Sequence, residues 1–245
     1  MGQRIVILFS MNKSIIIIFL FSVLISCSKS EDSLINPDGI TDHEITSHSN
    51  NRVSSLLMTK SEYRDWVNND EFRNSERRKS LTNDLYKKYA DKYDFIFFIL
   101  NEPSIPENLS YYGMLVGVSN NIQGTGQEIY DYSLDYGSNG KLKAVMQLTG
   151  LEYLRNGPAL HELAHNWANF GIDTHYINGP GTGITSFNYK PHWGFTGGSS
   201  RGQLGGFDQS TLVDNGNNSY TVNSFGGFAN GGNGIPFNEL ELYMM

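Results

Sequence analysis

The chain has 245 residues and a formal net charge of −7 at pH 7, from 18 basic and 25 acidic side chains. Its densest basic run, residues 73–79, is interrupted by Glu76 and lies on a predicted helix, so nucleic-acid binding is not supported. Cys27 is the single cysteine, which excludes an internal disulfide and a thiolate metal ligand inside the folded domain.

The first 27 residues are typical of a secretory signal. Residues 15–25 form an apolar run broken only by Ser22, with a lysine before it. The run is short for a bilayer span but fits the apolar region of a signal peptide. Residues 24–27 resemble the lipobox of bacterial lipoproteins. That resemblance implies cleavage before Cys27, a lipid on its thiol, and anchoring at the bacterial outer membrane, facing the periplasm or the cell surface.

The segment after the signal is polar. Residues 28–53 contain Pro37, Gly39 and few large apolar side chains, which predicts a flexible tether between the lipid and the domain. His43 and His48 lie in this tether, and we expect both to be solvated. The remaining residues, 54–245, are enough for a single domain with its own core.

Hydrophobic patterning predicts an α+β domain. Residues 61–92 carry apolar side chains at spacings of three and four, which predicts helix. Residues 93–100 form a continuous apolar run, which predicts a strand buried on both faces. Further strands are predicted at residues 111–118 and, after a hairpin turn at Asn139-Gly140, at residues 141–148.

Composition changes after the predicted strands. Sixteen of the 26 glycines fall within residues 171–234, where we expect ordered loops and short strands anchored by aromatic side chains. Just before this half, Asn156 is a predicted N-cap and Pro158 suits a first helical turn. Together with an apolar stripe they predict a helix over residues 157–170.

One pentapeptide on that helix contains candidate metal-binding and catalytic residues: residues 161–165 read H-E-L-A-H. Residues i and i+4 of a helix project from the same face, so His161 and His165 point the same way. Two neutral imidazoles held like this supply half of a tetrahedral Zn²⁺ site. Glu162 is offset around the helix, where it can reach a water on the metal and act as general base.

The H-E-x-x-H motif, and the order of helix, strands and motif helix, resemble the zincin metallopeptidases, in particular predicted bacterial lipoprotein metallopeptidases. That resemblance implies a zincin-like α+β fold, one catalytic Zn²⁺, and endopeptidase cleavage of a protein or peptide substrate with Glu162 as general base. It also implies that residues 141–148 form the strand edge that pairs with substrate. The metzincin continuation is absent, because Ala168 and Gly171 stand where that group has Gly and His.

A catalytic zinc site uses three protein ligands. The motif supplies two of them, and the sequence leaves several candidates for the third. His192 is favoured, because a proline before it and a tryptophan after it would hold its ring, and because its surroundings resemble the same predicted peptidases. His175 is an alternative near the expected helix exit. A glutamate from the C-terminus, Glu239 or Glu241, is the other alternative.

The C-terminus resembles a Glu-Leu-Tyr-Leu-Met-Gly element of those peptidases, and the chain ends inside it. An apolar segment with no closing polar turn is a poor natural terminus, so we expect a truncation there. Tyr243 is a candidate oxyanion donor and Met244 a candidate residue beneath the metal. Packing in the core is the simpler role for both.

Two other function classes remain open. A cell-surface binding lipoprotein would use aromatic side chains such as Trp193 and Tyr189 to bind glycan or peptide beside a non-catalytic metal site. The intact Glu162 argues against that interpretation. A calcium-stabilised scaffold is suggested only by residues 214–218, which lack the spaced carboxylates of an EF-hand loop and are more simply an ordinary turn.

Overall fold

A computed structural model of the chain describes residues 3–4, 7–9, 43–48, 52–123, 128–168, 202–207, 209–222, 225–226 and 232–245. Its strands are, in chain order, β1 (Gln3–Arg4), β2 (Ile7–Phe9), β3 (Glu44–His48), β4 (Val53–Met58), β5 (Phe95–Ile99), β6 (Gly113–Gly117), β7 (Ser119–Asn120), β8 (Tyr130–Asp131), β9 (Ala144–Leu148), β10 (Gly206–Phe207), β11 (Leu212–Gly216), β12 (Ser219–Val222) and β13 (Phe225–Gly226). Its helices are α1 (Lys60–Asn68), α2 (Ser75–Lys88), α3 (Leu151–Asn156), α4 (Ala159–Ala168) and α5 (Glu239–Met244). The predicted α+β class is confirmed. Across the described ranges, no helix is long and apolar enough to cross a membrane.

One mixed sheet of seven strands organises the described residues. Six strands follow the order β1-β4-β2-β5-β9-β6, and β3, off this path, also pairs with β4. β5 and β9 are parallel, whereas β6 runs antiparallel to β9 at the end of the sheet. β1 and β2 fall within the predicted signal segment, and both pair with β4. Cleavage before Cys27 would therefore remove these two strands from the sheet. Three small two-stranded sheets complete the strands of the described part.

Helices cover both faces of this sheet. On β5, Ile96 and Phe98 point toward α1 and α2, where the Trp66 ring lies edge-on to Phe98 with centroids 6.4 Å apart. Phe95, Phe97 and Ile99 point the other way, toward α4. Every residue of β5 is buried, so the prediction of a strand buried on both faces is confirmed. The apolar run is continuous because neither face meets water.

The helical prediction over residues 61–92 is confirmed as two helices. Thr59 caps α1 by accepting from the Glu62 amide at 3.1 Å, and Asn74 caps α2 by accepting from the Glu76 amide at 3.0 Å. Between the helices, Asp70 adopts a left-handed backbone with φ of 49°. A right-handed helix cannot continue through a residue in this conformation, so the chain turns there.

The ordered domain begins before residue 54. β3 and β4 pair over five residue positions, so residues 44–48 belong to the sheet. The side chain of His43, which we expect from the sequence to be solvated, is only 5% exposed: its Nδ1 lies 2.6 Å from Asp84 Oδ2 and its Nε2 lies 2.9 Å from Glu62 Oε1. The predicted tether therefore ends before His43. The prediction from polar composition is wrong here, because two carboxylates replace water as the hydrogen-bond partners of His43.

Two predictions about strand pairing are wrong. Asn139-Gly140 does not close a β-hairpin onto β9, because β8 pairs with β7 instead. The turn is held by Asp91, whose carboxylate accepts from the Asn139 amide at 2.6 Å and from the Ser138 hydroxyl at 2.8 Å. Residues 141–148 are not an edge, because β9 pairs with β5 on one side and with β6 on the other. At this end of the sheet, the edge strand is β6.

Residues 214–218 form an ordinary turn, as expected. β11 and β12 pair as an antiparallel hairpin in which Gly216 faces Ser219. Asn217 and Asn218 adopt positive φ values of 54° and 58°, which is the backbone of a two-residue hairpin loop.

Candidate metal centre

The motif helix α4 is anchored by a residue 73 positions along the chain. The Leu160 amide donates to Asn233 Oδ1 at 3.1 Å, and Asn233 Nδ2 donates to the Leu154 carbonyl at 2.7 Å. Asn156, the predicted N-cap, instead ends α3, and its carbonyl accepts from the Asn233 amide at 3.0 Å. Asn233 therefore caps α4 and fixes the helix start relative to α3.

α4 is oriented by its apolar face. Ala159 and Trp167 pack on the sheet, where the Trp167 ring lies 5.5 Å from Phe95. On another side, Ala164 packs with Leu204 and with apolar residues of α5. His161 and His165 are held between these contacts and are only 3% and 8% exposed. Burial on both sides limits the directions in which the two imidazoles can point.

The two histidines converge as the i, i+4 spacing predicts. Their Nε2 atoms lie 3.1 Å apart, and their rings meet nearly at right angles, with centroids 4.6 Å apart. Two nitrogens bound to one Zn²⁺ at tetrahedral geometry would be about 3.3 Å apart. A shift of a few tenths of an ångström would therefore let His161 and His165 share one ion, so these two residues fit two ligand positions of a zinc site.

The His161 ring is also held at Nδ1, the nitrogen on the side away from His165. Its Nδ1 donates to the Gln203 carbonyl across 2.5 Å, since a carbonyl oxygen can only accept. The proton on Nδ1 leaves the lone pair on Nε2, the atom that faces His165. This is the arrangement that fixes the tautomer of metal-binding histidines in known sites.

The turn that presents this carbonyl is held by Glu241. The Glu241 carboxylate accepts from the Gln203 amide at 3.0 Å, from the Leu204 amide at 2.5 Å and from the Asn238 amide at 2.9 Å. A Cβ on Gly202 would come within 2.3 Å of Glu241 Oε2, so the close approach requires glycine at that position. Glu241 is only 1% exposed.

Glu162 lies on the side of α4 that faces β6. Its Cγ would be 2.7 Å from a Cβ built on Gly113, so glycine allows the strand and the helix to approach this closely. Burial raises the pKa of Glu162 to about 7, and a hydrogen bond from the Leu115 amide opposes that shift. A carboxyl group with such a pKa exchanges its proton readily at neutral pH.

The outer edge of β6 is next to this carboxyl. The Thr149 amide donates to the Tyr112 carbonyl, and the Val118 amide donates to the Lys143 carbonyl. The backbone amides and carbonyls of the even-numbered residues of β6 therefore face β9. Antiparallel pairing alternates, and the amides and carbonyls of residues 113, 115 and 117 therefore face away from β9. Among the described residues no further strand pairs with that side.

The other predicted site residues fall in different places. Glu239 lies on the exposed face of α5, and Tyr243 is 85% exposed. His175, His192 and Cys27 lie outside the described residues. Within the described part of the chain, no group of three or more His, Cys, Asp or Glu side chains is placed to hold a metal ion.

Three residues of this site escaped the sequence prediction: Gln203, Asn233 and Gly113. Gln203 and Asn233 lie 42 and 73 positions from their partners on α4. The glycine pairs around residue 203 signal a turn, but nothing in the sequence shows which helix that turn meets. Gly113 begins a strand, and its role becomes visible only from its close approach to Glu162 in the folded chain.

The chain matches no model of a known protein family, no curated protein and no solved structure. The site itself offers two convergent imidazoles, a buried carboxyl beside them and the outer side of β6, which pairs with no further strand of the described part of the chain. These are the components for activating a water molecule next to an extended ligand.

Proposed function

We propose that the protein is a zincin-type zinc peptidase in which His161 and His165 bind a catalytic Zn²⁺ and Glu162 is the general base. The convergence of two buried Nε2 atoms, 3.1 Å apart on α4, carries the proposal. The adjacent Glu162 supports catalysis rather than a purely structural metal, because a structural site needs no buried carboxyl beside its ligands.

We assign the third ligand to His192. The contacts of one alternative, Glu241, favour this choice. Both oxygens of Glu241 accept backbone amides, and turning that carboxylate to a metal would leave buried amides without partners. His192 keeps the all-nitrogen set that Zn²⁺ accepts with an open fourth position.

Bound Zn²⁺ supplies Lewis-acid chemistry, which lowers the pKa of a water molecule and polarises a carbonyl. The chain supplies the proton handling. Glu162 takes up a proton at its carboxylate during attack and releases it to the leaving amine. Burial raises the pKa of this carboxyl, which favours the uptake of the proton. The surrounding apolar packing of α4 on the sheet excludes bulk water from the carboxyl.

An extended peptide is the substrate that suits the neighbouring surface. The outward amides of residues 113 and 117 and the outward carbonyls of residues 113, 115 and 117 offer main-chain pairing to an added strand, whereas the Leu115 amide is held by Glu162. Such a strand would pass beside Glu162, because the carboxyl already accepts from the Leu115 amide. Because main-chain pairing is independent of side-chain identity, it explains how a peptide of varied sequence would be held across the site.

The proposal includes anchoring through a lipid on Cys27, which would place the enzyme at the outer membrane of a bacterium. Its substrates would then be proteins or peptides of the periplasm or the cell surface. The support is the apolar run and the lipobox-like residues 24–27 of the sequence.

Cleavage of a quenched fluorescent peptide mixture tests the proposed activity. Glu162→Gln should reduce kcat at least about a hundredfold, within the range of general-base contributions, while zinc stays bound. Glu107→Gln removes an exposed carboxylate elsewhere and should keep the wild-type rate. Full activity in Glu162→Gln would exclude the mechanism, and stable peptide binding without cleavage would favour a binding lipoprotein.

A further inference from the structure

One peptide group links a buried carboxylate to the metal-binding face of His161. The amide of Leu204 donates to Glu241 Oε1 at 2.5 Å. The carbonyl of the same peptide group, which belongs to Gln203, accepts from His161 Nδ1 at 2.5 Å. The chain of contacts thus runs from carboxylate to peptide to imidazole, and ends at the Nε2 atom that faces His165.

Hydrogen bonds in such a chain reinforce one another. A carboxylate that accepts from a peptide N–H draws the proton toward itself and leaves more negative charge on the carbonyl oxygen of that peptide group. The richer oxygen is a stronger acceptor for the Nδ1–H of His161. A stronger acceptor at Nδ1 makes the opposite nitrogen, Nε2, a better metal ligand.

We propose that Glu241 is a positioning residue for His161 and acts through the single peptide group between Gln203 and Leu204. This inference rests on the proposed function, because its consequence is tighter zinc binding by His161. It gives the site a carboxylate–peptide–histidine relay in place of a direct carboxylate–histidine bond.

The packing around the relay holds it in one arrangement. Leu204 is fully buried against Ala164 of α4 and apolar residues of α5. The Gln203 side chain donates from Nε2 to the Ile235 carbonyl, and the Gly202 amide closes the turn onto the Gly205 carbonyl at 2.9 Å. Because the turn is fixed from both sides, the position of its carbonyl depends on where Glu241 holds its amides.

Zinc affinity and the protonation of His161 test the relay together. Glu241→Gln keeps the size and one accepting oxygen but removes the charge, and it should weaken zinc binding about tenfold or more, as loss of an outer partner of a ligand does. Asn238→Ala is the matched control, because it removes the Asn238 side-chain bond to the Glu241 amide and leaves the carboxylate in place. It should lower the melting temperature without changing zinc affinity.

Nitrogen NMR of the metal-free protein supplies a readout that general loosening of the fold would not move. In the wild type, His161 should carry its proton on Nδ1, with a strongly downfield proton resonance. In Glu241→Gln that resonance should move upfield, whereas Asn238→Ala should leave it in place. Folding of each variant is checked by circular dichroism. If Glu241→Gln does not fold, a wild-type His161 with its proton on Nε2 would still overturn the relay.

Two results would overturn the relay. One is a wild-type His161 with its proton on Nε2. The other is a folded Glu241→Gln with unchanged zinc affinity and an unchanged Nδ1–H resonance. Failure of the proposed function looks different: the wild type would then bind no zinc or cleave no peptide, while the tautomer of His161 in the metal-free protein would still report on the relay.

Discussion

Replacing His43 with glutamine tests the buried ion cluster that joins the first hairpin to the helices. His43 lies between Asp84 and Glu62, at 2.6 Å and 2.9 Å. Arg77 also contacts Glu62, at 3.4 Å, and Lys87 contacts Asp84, at 2.8 Å. Burial by itself lowers the pKa of His43, but the two carboxylates outweigh it and raise the pKa from 6.5 to about 9.

The sign and size of the effect follow from that pKa. His43 stays protonated up to about pH 9 in the folded chain and only to 6.5 in the unfolded chain. Its contribution to stability is therefore complete below pH 6.5 and is lost as the pH rises through 9. Linkage converts this interval to about 3 kcal/mol at pH 6, about 2 kcal/mol at pH 7.5 and nearly zero at pH 9.5.

Urea unfolding followed by tryptophan fluorescence measures this directly. The free energy of unfolding of His43→Gln should fall below that of the wild type by an amount that shrinks from pH 6 to pH 9.5. His48→Gln is the matched control, because His48 is exposed on the same hairpin and contacts only the Ser55 hydroxyl among the bonds identified, at 2.9 Å. A deficit for His43→Gln that is constant with pH, or grows toward pH 9.5, would refute the reasoning.

Three further substitutions probe the scaffold of the site. Gly113→Ala should lower kcat about tenfold with the fold retained, because its Cβ would meet Glu162 Cγ at 2.7 Å; Gly234→Ala, with no atom within 4 Å, should match the wild type, and equal kcat values would contradict the prediction. Asn233→Ala should cost about 1–2 kcal/mol in urea unfolding through loss of the α4 cap, and a cost near zero would assign that cap no energetic role. Gln147→Leu should cost about 1–3 kcal/mol, because it leaves the buried Trp66 Nε1 without the acceptor it contacts at 2.7 Å; unchanged stability would mean that the indole finds another partner.

Much of the local structure could be predicted from the sequence. The continuous apolar run of β5 identifies a doubly buried strand, and the apolar spacing before it identifies α1 and α2. The convergence of His161 and His165 follows from helix geometry alone. These features depend on residues close together in the chain, and the periodicity of side chains is enough to find them.

What could not be predicted depends on distant partners. The resemblance to zincins implies an edge position for β9, but strand order in a sheet is not fixed by order in the chain. The burial of His43 requires Asp84, 41 positions away, and polar composition alone predicts solvent exposure. The support of His161 by Gln203 and Glu241 comes from a glycine-rich half whose turns can be recognised, although their docking positions cannot.

The central claim is that α4 binds a catalytic metal, and zinc content by elemental analysis of the purified protein tests it most directly. The account predicts about one zinc per chain in the wild type and in Glu162→Gln, and its loss in His165→Ala and His192→Ala. Zinc retained by His192→Ala would move the third ligand to His175 or a C-terminal glutamate. Zinc retained by His165→Ala, or a folded wild type that binds none, would contradict the account.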